Sequence, residues 1–144
     1  MREIKCRALA NNSVDEDMLN TWEVERDGRW IYGTYFSGYI LNGAGDGDDD
    51  YFTVQGSWCP VIPETLGQFT GMVDMHGKEI YEGDIIFFEP YQTHNNDRII
   101  KFQNGCFVAE LIRNGYSKAI TCPDMYEVIG NIYENKELMK NEPV

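Results

Sequence analysis

A chain of 144 residues, 42% hydrophobic and 13% aromatic, carries enough apolar material for one packed domain or for two small β-modules held closely together. Twenty-four carboxylates against twelve lysines and arginines give a formal charge of -12. The excess of acid holds in both halves, which excludes a hidden basic domain and disfavours nucleic acid as a partner.

The N-terminal "REIKCRAL" alternates Ile4, Cys6 and Ala8 with charged neighbours, the pattern of a strand with one solvated face. It has no apolar block of the kind a secretory leader carries, and no run in the chain approaches the roughly 20 residues of a membrane-spanning helix. A cytoplasmic, reducing environment without membrane contact is therefore expected, and Cys6, Cys59, Cys106 and Cys122 read as buried or half-buried free thiols. They lack a Cys-x-x-Cys pair and a histidine at ligand spacing, so neither zinc nor another cofactor is expected. In "NNSVDEDML", Ser13 and Glu16 have capping-box spacing, but the apolar content supports no more than a single helical turn.

Two hairpins are written by their turns. "TWEVER" and "RWIYGTYF" flank Asp27-Gly28, and "RIIKFQ" and "CFVAEL" flank Asn104-Gly105, dipeptides that favour a two-residue type I′ loop. The second register opposes Phe102 with Phe107 and Ile100 with Ala109; Ile100, Phe102, Phe107, Ala109 and Leu111 then share one face, and Lys101, Gln103 and Glu110 the other. Between the hairpins, "NGAGDGDDDYF" reads as a glycine- and acid-rich loop ahead of "YFTVQG" and "WCPVIPETLG". The last strand, "YEVIGNIY", precedes "ENKELMK", where Asn135 is placed to cap one or two helical turns. Short strands and tight turns with no repeat and no linker point to an all-β chain, either one unit or two modules meeting near residues 63–70.

Candidate sites are few. "DGDDD" at 46–50 gathers carboxylates as a calcium loop does, but Tyr51 stands where the turn glycine belongs and Ser57 where the bidentate glutamate belongs. His76 at a turn tip and His94 in "YQTHNND" have no local nucleophile or carboxylate spacing that announces catalysis. Trp22, Trp30, Tyr32, Tyr35, Phe36 and Tyr39 suit a stacking platform in type, yet Arg26 and Arg29 stand nearly alone among acids, and core or interface is the better account.

"HGKEIYEGDII" raises the sharpest question. Asp74 and Gly77 take the first and last places of a β-turn, Lys78 to Tyr81 form a brief strand, Glu82-Gly83 turn again, and Asp84 opens a buried strand to Phe88. "GQFTGMVDMHGKEIYEGDIIFF", followed at a distance by "YEVIGNIYENKEL", resembles the YopX family of phage and prophage proteins. Its structural motif falls here on Thr70, Gly71, Asp74, Gly77, Ile80, Glu82, Gly83 and Asp84, and "RDGRWIYGTYF" and "VIPETLGQFTG" carry the likeness over nearly the whole chain. Departures are Cys6 and Leu9 at positions that are commonly aromatic, and His76-Gly77 in place of Asn-Gly. The resemblance implies a mainly β fold of short twisted strands and hairpins with little helix. It implies one unit over 1–144, with an N-terminal β region (1–66) and an SH3-like barrel (67–144), in a phage-encoded cytoplasmic protein without an assigned activity.

Three functional classes follow. The first is a non-enzymatic module binding a host or phage protein, as a homo-oligomer, with acidic DNA mimicry as its sharper form. The second is a nucleic-acid-binding barrel, which requires Arg98, Lys101, Arg113 and Lys118 to converge. The third is an enzyme with a site assembled from distant strands, for which the sequence supplies residues but no frame.

Overall fold

The computed structural model describes residues 4–21, 25–47, 52–91 and 93–139. They divide into two compact units, Ile4–Gln68 and Phe69 onward.

The first unit runs β1 (Cys6–Leu9), α1 (Glu16–Thr21), β2 (Arg26–Asp27), β3 (Trp30–Phe36), β4 (Tyr39–Gly47), β5 (Phe52–Pro60) and the opening residues of β6 (Gly67–Val73). The order is β5-β4-β3-β1-β6, antiparallel throughout, with β2 on β3. Ala8, Ala10, Val14, Leu19, Ile31, Ile40, Cys59 and Val61 form its core, and Tyr35 and Leu66 pack against it. Each fully buried aliphatic contributes on the order of 1.5–3 kcal/mol.

Three expectations are corrected in this unit. A six-residue helix forms where at most one turn was expected, because Val14 and Leu19 are drawn into the core. Its cap is Asp15, whose Oδ1 accepts from the Met18 N–H at 2.8 Å, while the Ser13 N–H donates to Asn11 Oδ1 in a turn of its own. In the first hairpin Asp27 pairs with Trp30, so the loop is Gly28-Arg29, one residue later than expected. Gly28 has φ +60 in the first loop position and Arg29 does not follow it, the geometry of a type II′ turn. Finally, much of the expected acidic loop is strand. β4 and β5 pair continuously from Tyr39↔Pro60 to Gly47↔Phe52, and residues 48–51 lie outside the described residues.

The second unit holds the rest of β6, then β7 (Glu79–Tyr81), β8 (Asp84–Phe88), β9 (Arg98–Gln103), β10 (Cys106–Leu111), β11 (Ser117–Ala119) and β12 (Tyr126–Asn131). Its main sheet has the order β11-β10-β9-β8-β12, and β7 pairs with β6 across a bulge. Among the described residues no ladder joins β11 to β12, so this path is open and not a closed barrel. The fold is mainly β, with two antiparallel sheets.

The β9–β10 hairpin has the expected register, Phe102↔Phe107 and Ile100↔Ala109, across Asn104 (φ 52) and Gly105 (φ 82), both left-handed as a type I′ loop requires. Ile80, Ile86, Ile100, Ala109 and Tyr126 make the second core, with Met72, Phe88, Ile120 and Val128 against it. Near the end, Lys136–Met139 form a 3-10 turn after Asn135, but the Asn135 side chain does not cap it with its oxygen. That oxygen accepts from the Asn131 N–H at 3.1 Å, because the Asn131 side chain has itself folded over the Tyr133 and Glu134 N–H groups.

Candidate functional site

The motif residues meet at one β-corner of the second unit. Gly77 N–H donates to Asp74 O at 3.0 Å, closing the turn read from the sequence. The Asp74 carboxylate is buried and fully used: Oδ1 accepts from the N–H groups of His76 (2.8 Å) and Lys78 (2.9 Å), and Oδ2 accepts from Val128 N–H (3.0 Å). Burial alone would push this carboxyl upward, but those three donors, with the His76 charge, outweigh it and hold Asp74 below the ordinary carboxylate range.

Thr70 is likewise structural. Its hydroxyl donates to Ile80 O at 2.7 Å and accepts from Met72 N–H at 3.1 Å, stitching the β6 bulge in which Gly71 takes φ +85. Gly83, at φ +93, donates to Ile100 O and accepts from Ile132 N–H, and Asp84 Oδ2 accepts from Tyr81 N–H at 2.7 Å. Ile80 is fully buried and Glu82 is partly exposed beside the second turn. Every hydrogen bond named at this corner is an internal fastening of the chain.

The histidines are placed apart from this economy. His76 Nε2 lies 3.9 Å from Glu127 Oε1 on the exposed side of the turn. His94 opens a 3-10 turn, His94–Asn96, and its Nδ1 is 2.9 Å from Asp97 Oδ2 while its ring leans on Phe87. Asp97 is buried, its Oδ1 has no hydrogen-bond partner, and burial pushes its carboxyl up against the opposing pull of His94. This is an imidazole with an orienting carboxylate, and among the described residues no hydroxyl or thiol is hydrogen-bonded to it. No cluster of three metal-ligating side chains occurs among the described residues.

The four cations read as a candidate nucleic-acid face do not all share one face. Lys101 and Lys118 stand on opposite faces of the β9–β10–β11 ladder, since Lys101 aligns with Val108 and Ala119, whereas Lys118 aligns with Ala109 and Ile100. Lys101 is paired with Glu110, and the Arg98 guanidinium lies 4.9 Å over the Phe88 ring.

An aromatic cluster in the first unit remains unabsorbed. Tyr35 leans on the core and Ile40 and Cys59 are buried in it, so by strand alternation Phe36, Tyr39 and Trp58 project from the opposite face of β3–β4–β5. They are 66%, 45% and 46% exposed. Trp58 meets both partners edge-on, at 6.5 Å and 82° to Phe36 and 6.5 Å and 73° to Tyr39. With Ser37 they line a shallow cleft of about 400 Å³. The turn Ser37-Gly38 (φ 48 and 90) pins Phe36 opposite Tyr39, and Val61 N–H donates to Gly38 O at 3.0 Å, which fixes the cleft to the scaffold.

The sequence singled out Phe36 and Tyr39 but not Trp58. Only the β4–β5 register, concealed by the glycine-acid stretch read as a loop, brings Trp58 beside them. Trp30 is buried beneath the Arg7 guanidinium at 4.4 Å, Tyr32 is partly buried, and Trp22 lies outside the described residues. Cys6, Cys59, Cys106 and Cys122 are all free thiols; Cys106 is exposed, not buried as expected, because it directly follows the hairpin loop.

No helix among the described residues is long and apolar enough to cross a membrane. No curated protein matches the chain. Among solved structures it is similar to the crystal structure of protein EF1440 from Enterococcus faecalis, at 24% identity and a TM-score of 0.56, over 97% of this chain and all of that one; the likeness supports the fold alone. The family model described as YopX protein matches residues 16–140, and with the corner of Asp74, Gly77, Gly83 and Asp84 in place, the chain belongs to the YopX family.

Proposed function

We propose that the protein is a non-enzymatic interaction module of a phage or prophage, acting in the host cytoplasm, that binds a host or phage protein through Phe36, Tyr39 and Trp58. The observation that carries this reading is the exposure of three large aromatics on one sheet face, which with Ser37 line a cleft. Trp and Tyr on a fixed scaffold are the side chains that dominate binding energy at protein interfaces. At the motif corner the Asp74 and Asp84 carboxylates and the Thr70 hydroxyl are bonded to the chain's own backbone, which favours the aromatic face as the site.

A DNA-mimic form of this function draws on the formal charge of -12, although Asp74, Asp84 and Asp97 are buried and cannot belong to a phosphate-like array. Tagged protein is recovered from host lysate with and without nuclease, beside a Phe36→Ser/Tyr39→Ser/Trp58→Ser variant shown by circular dichroism to fold. A stoichiometric protein that survives nuclease and is lost with the triple variant is the expected result. Equal recovery with the variant overturns the assignment, and recovery that depends on nucleic acid transfers it to the nucleic-acid-binding alternative. Self-association through the same face is the competing occupant and is read from sedimentation of the purified protein.

A further inference from the structure

We infer that the Phe36–Tyr39–Trp58 cleft receives arginine side chains of the partner protein, an inference that rests on the interaction function proposed above. Three aromatic rings with electron-rich faces, set near right angles about Trp58, offer a cation more than one ring surface, and Ser37 adds a single hydroxyl. The surrounding unit favours the same sign of ligand. Between Ile4 and Gln68 the sequence has eleven carboxylates and four bases.

The arginines among those bases are already engaged. Arg7 stacks on Trp30, Arg26 donates to Gly28 O and Asn20 Oδ1, and Arg29 donates to Asn11 O and Val14 O. A cationic segment is therefore drawn to this unit, whereas a second copy of the chain brings the same negative charge and is repelled. Arginine fits better than lysine because its planar, weakly hydrated guanidinium stacks on a ring. The protein uses that contact itself, with Arg7 at 4.4 Å over Trp30 and Arg98 at 4.9 Å over Phe88. The Ser37-Gly38 turn fixes the backbone of Phe36 and Tyr39, and the β4–β5 ladder fixes that of Trp58, which limits the ordering cost of association to the side chains.

The test is fluorescence anisotropy on the full chain with a labelled peptide holding two arginines between prolines, and with its citrulline counterpart, which keeps the shape and loses the charge. The arginine peptide is expected to bind, the citrulline peptide to bind about tenfold more weakly, and Trp58→Ala to weaken the arginine peptide by a similar factor. Phe36→Ala is the second variant should Trp58→Ala lose its fold. Equal binding of both peptides overturns the inference, as does an arginine peptide that ignores Trp58→Ala or fails to bind. A dimer that dissolves on Trp58→Ala overturns it in favour of a second copy. If the peptides fail while the lysate partner is still lost with the triple variant, the arginine assignment falls and the interaction function stands; if the partner is retained as well, both fall.

Discussion

Replacing Asp74 by alanine removes the acceptor for three backbone N–H groups at 2.8, 2.9 and 3.0 Å. Hydrogen bonds to a charged group contribute about 1.5–3 kcal/mol, but the His76 and Lys78 donors sit in a turn that water can reach, so about 0.5–1 kcal/mol each is a better figure there. The Val128 donor lies in β12 and keeps the larger value. The expected loss is about 2.5–5 kcal/mol, a large share of the 5–15 kcal/mol that holds a typical domain together. Asp74→Asn retains a carbonyl oxygen for the turn but turns an amide donor toward Val128 N–H, and should cost about 1.5–3 kcal/mol. Urea unfolding followed by circular dichroism measures both. An alanine variant that loses less than about 1 kcal/mol refutes the bridging role, and an asparagine variant as stable as wild type refutes the contact to Val128. The pH dependence supplies a second check. Because the folded-state pKa of Asp74 is lowered, its stabilisation is present above the unfolded value and is lost as pH falls through the folded one, so the advantage of wild type over Asp74→Asn shrinks below about pH 4.

Gly33→Ala places a Cβ 2.3 Å from Leu41 O at φ +154, where backbone meets backbone, and should lower stability by at least about 3 kcal/mol; a thermal midpoint unchanged within about 2 °C contradicts this. Asp97 has the opposite sign from Asp74. Burial raises its pKa, so its contribution is full below the unfolded value and lost as pH rises through the raised folded one. Stability of Asp97→Asn relative to wild type should therefore climb on titration upward through the carboxylate range, and a flat difference refutes the burial argument. Cys106 is exposed whereas Cys59 is fully buried, its thiol pushed up by burial against the pull of Arg29. Ellman's reagent should lose its fastest-reacting thiol in Cys106→Ser, and Cys59 should react only after unfolding; early labelling of Cys59 counts against its placement.

The sequence was most legible where local chemistry suffices. Asn104-Gly105 dictates a loop that admits one register, and Asp74 with Gly77 dictates a turn, so both are as read. It was least legible where a distant partner decides. Residues 42–47 have the glycines and acid of a loop, yet they pair strand to strand because β5 lies alongside them. α1 is short and polar and is held by Val14 and Leu19 reaching a core built largely from later strands. Trp58 entered the cleft for the same reason. Its neighbours Phe36 and Tyr39 are more than fifteen residues earlier in the chain, and no local pattern announces that meeting.

The Asp74–Val128 contact spans 54 residues, and that distance sets an order of events. The turn at 74–77 and the brief strand after it can close as soon as they leave the ribosome, because their donors are local. The second carboxylate oxygen stays hydrated until β12 has been synthesised and docked on β8. Its bond to Val128 is then expected to latch late, after the local turn has closed, in line with the slow closure of non-local pairings. Pulsed hydrogen exchange at Val128 N–H should show protection arriving after that of the β9–β10 hairpin.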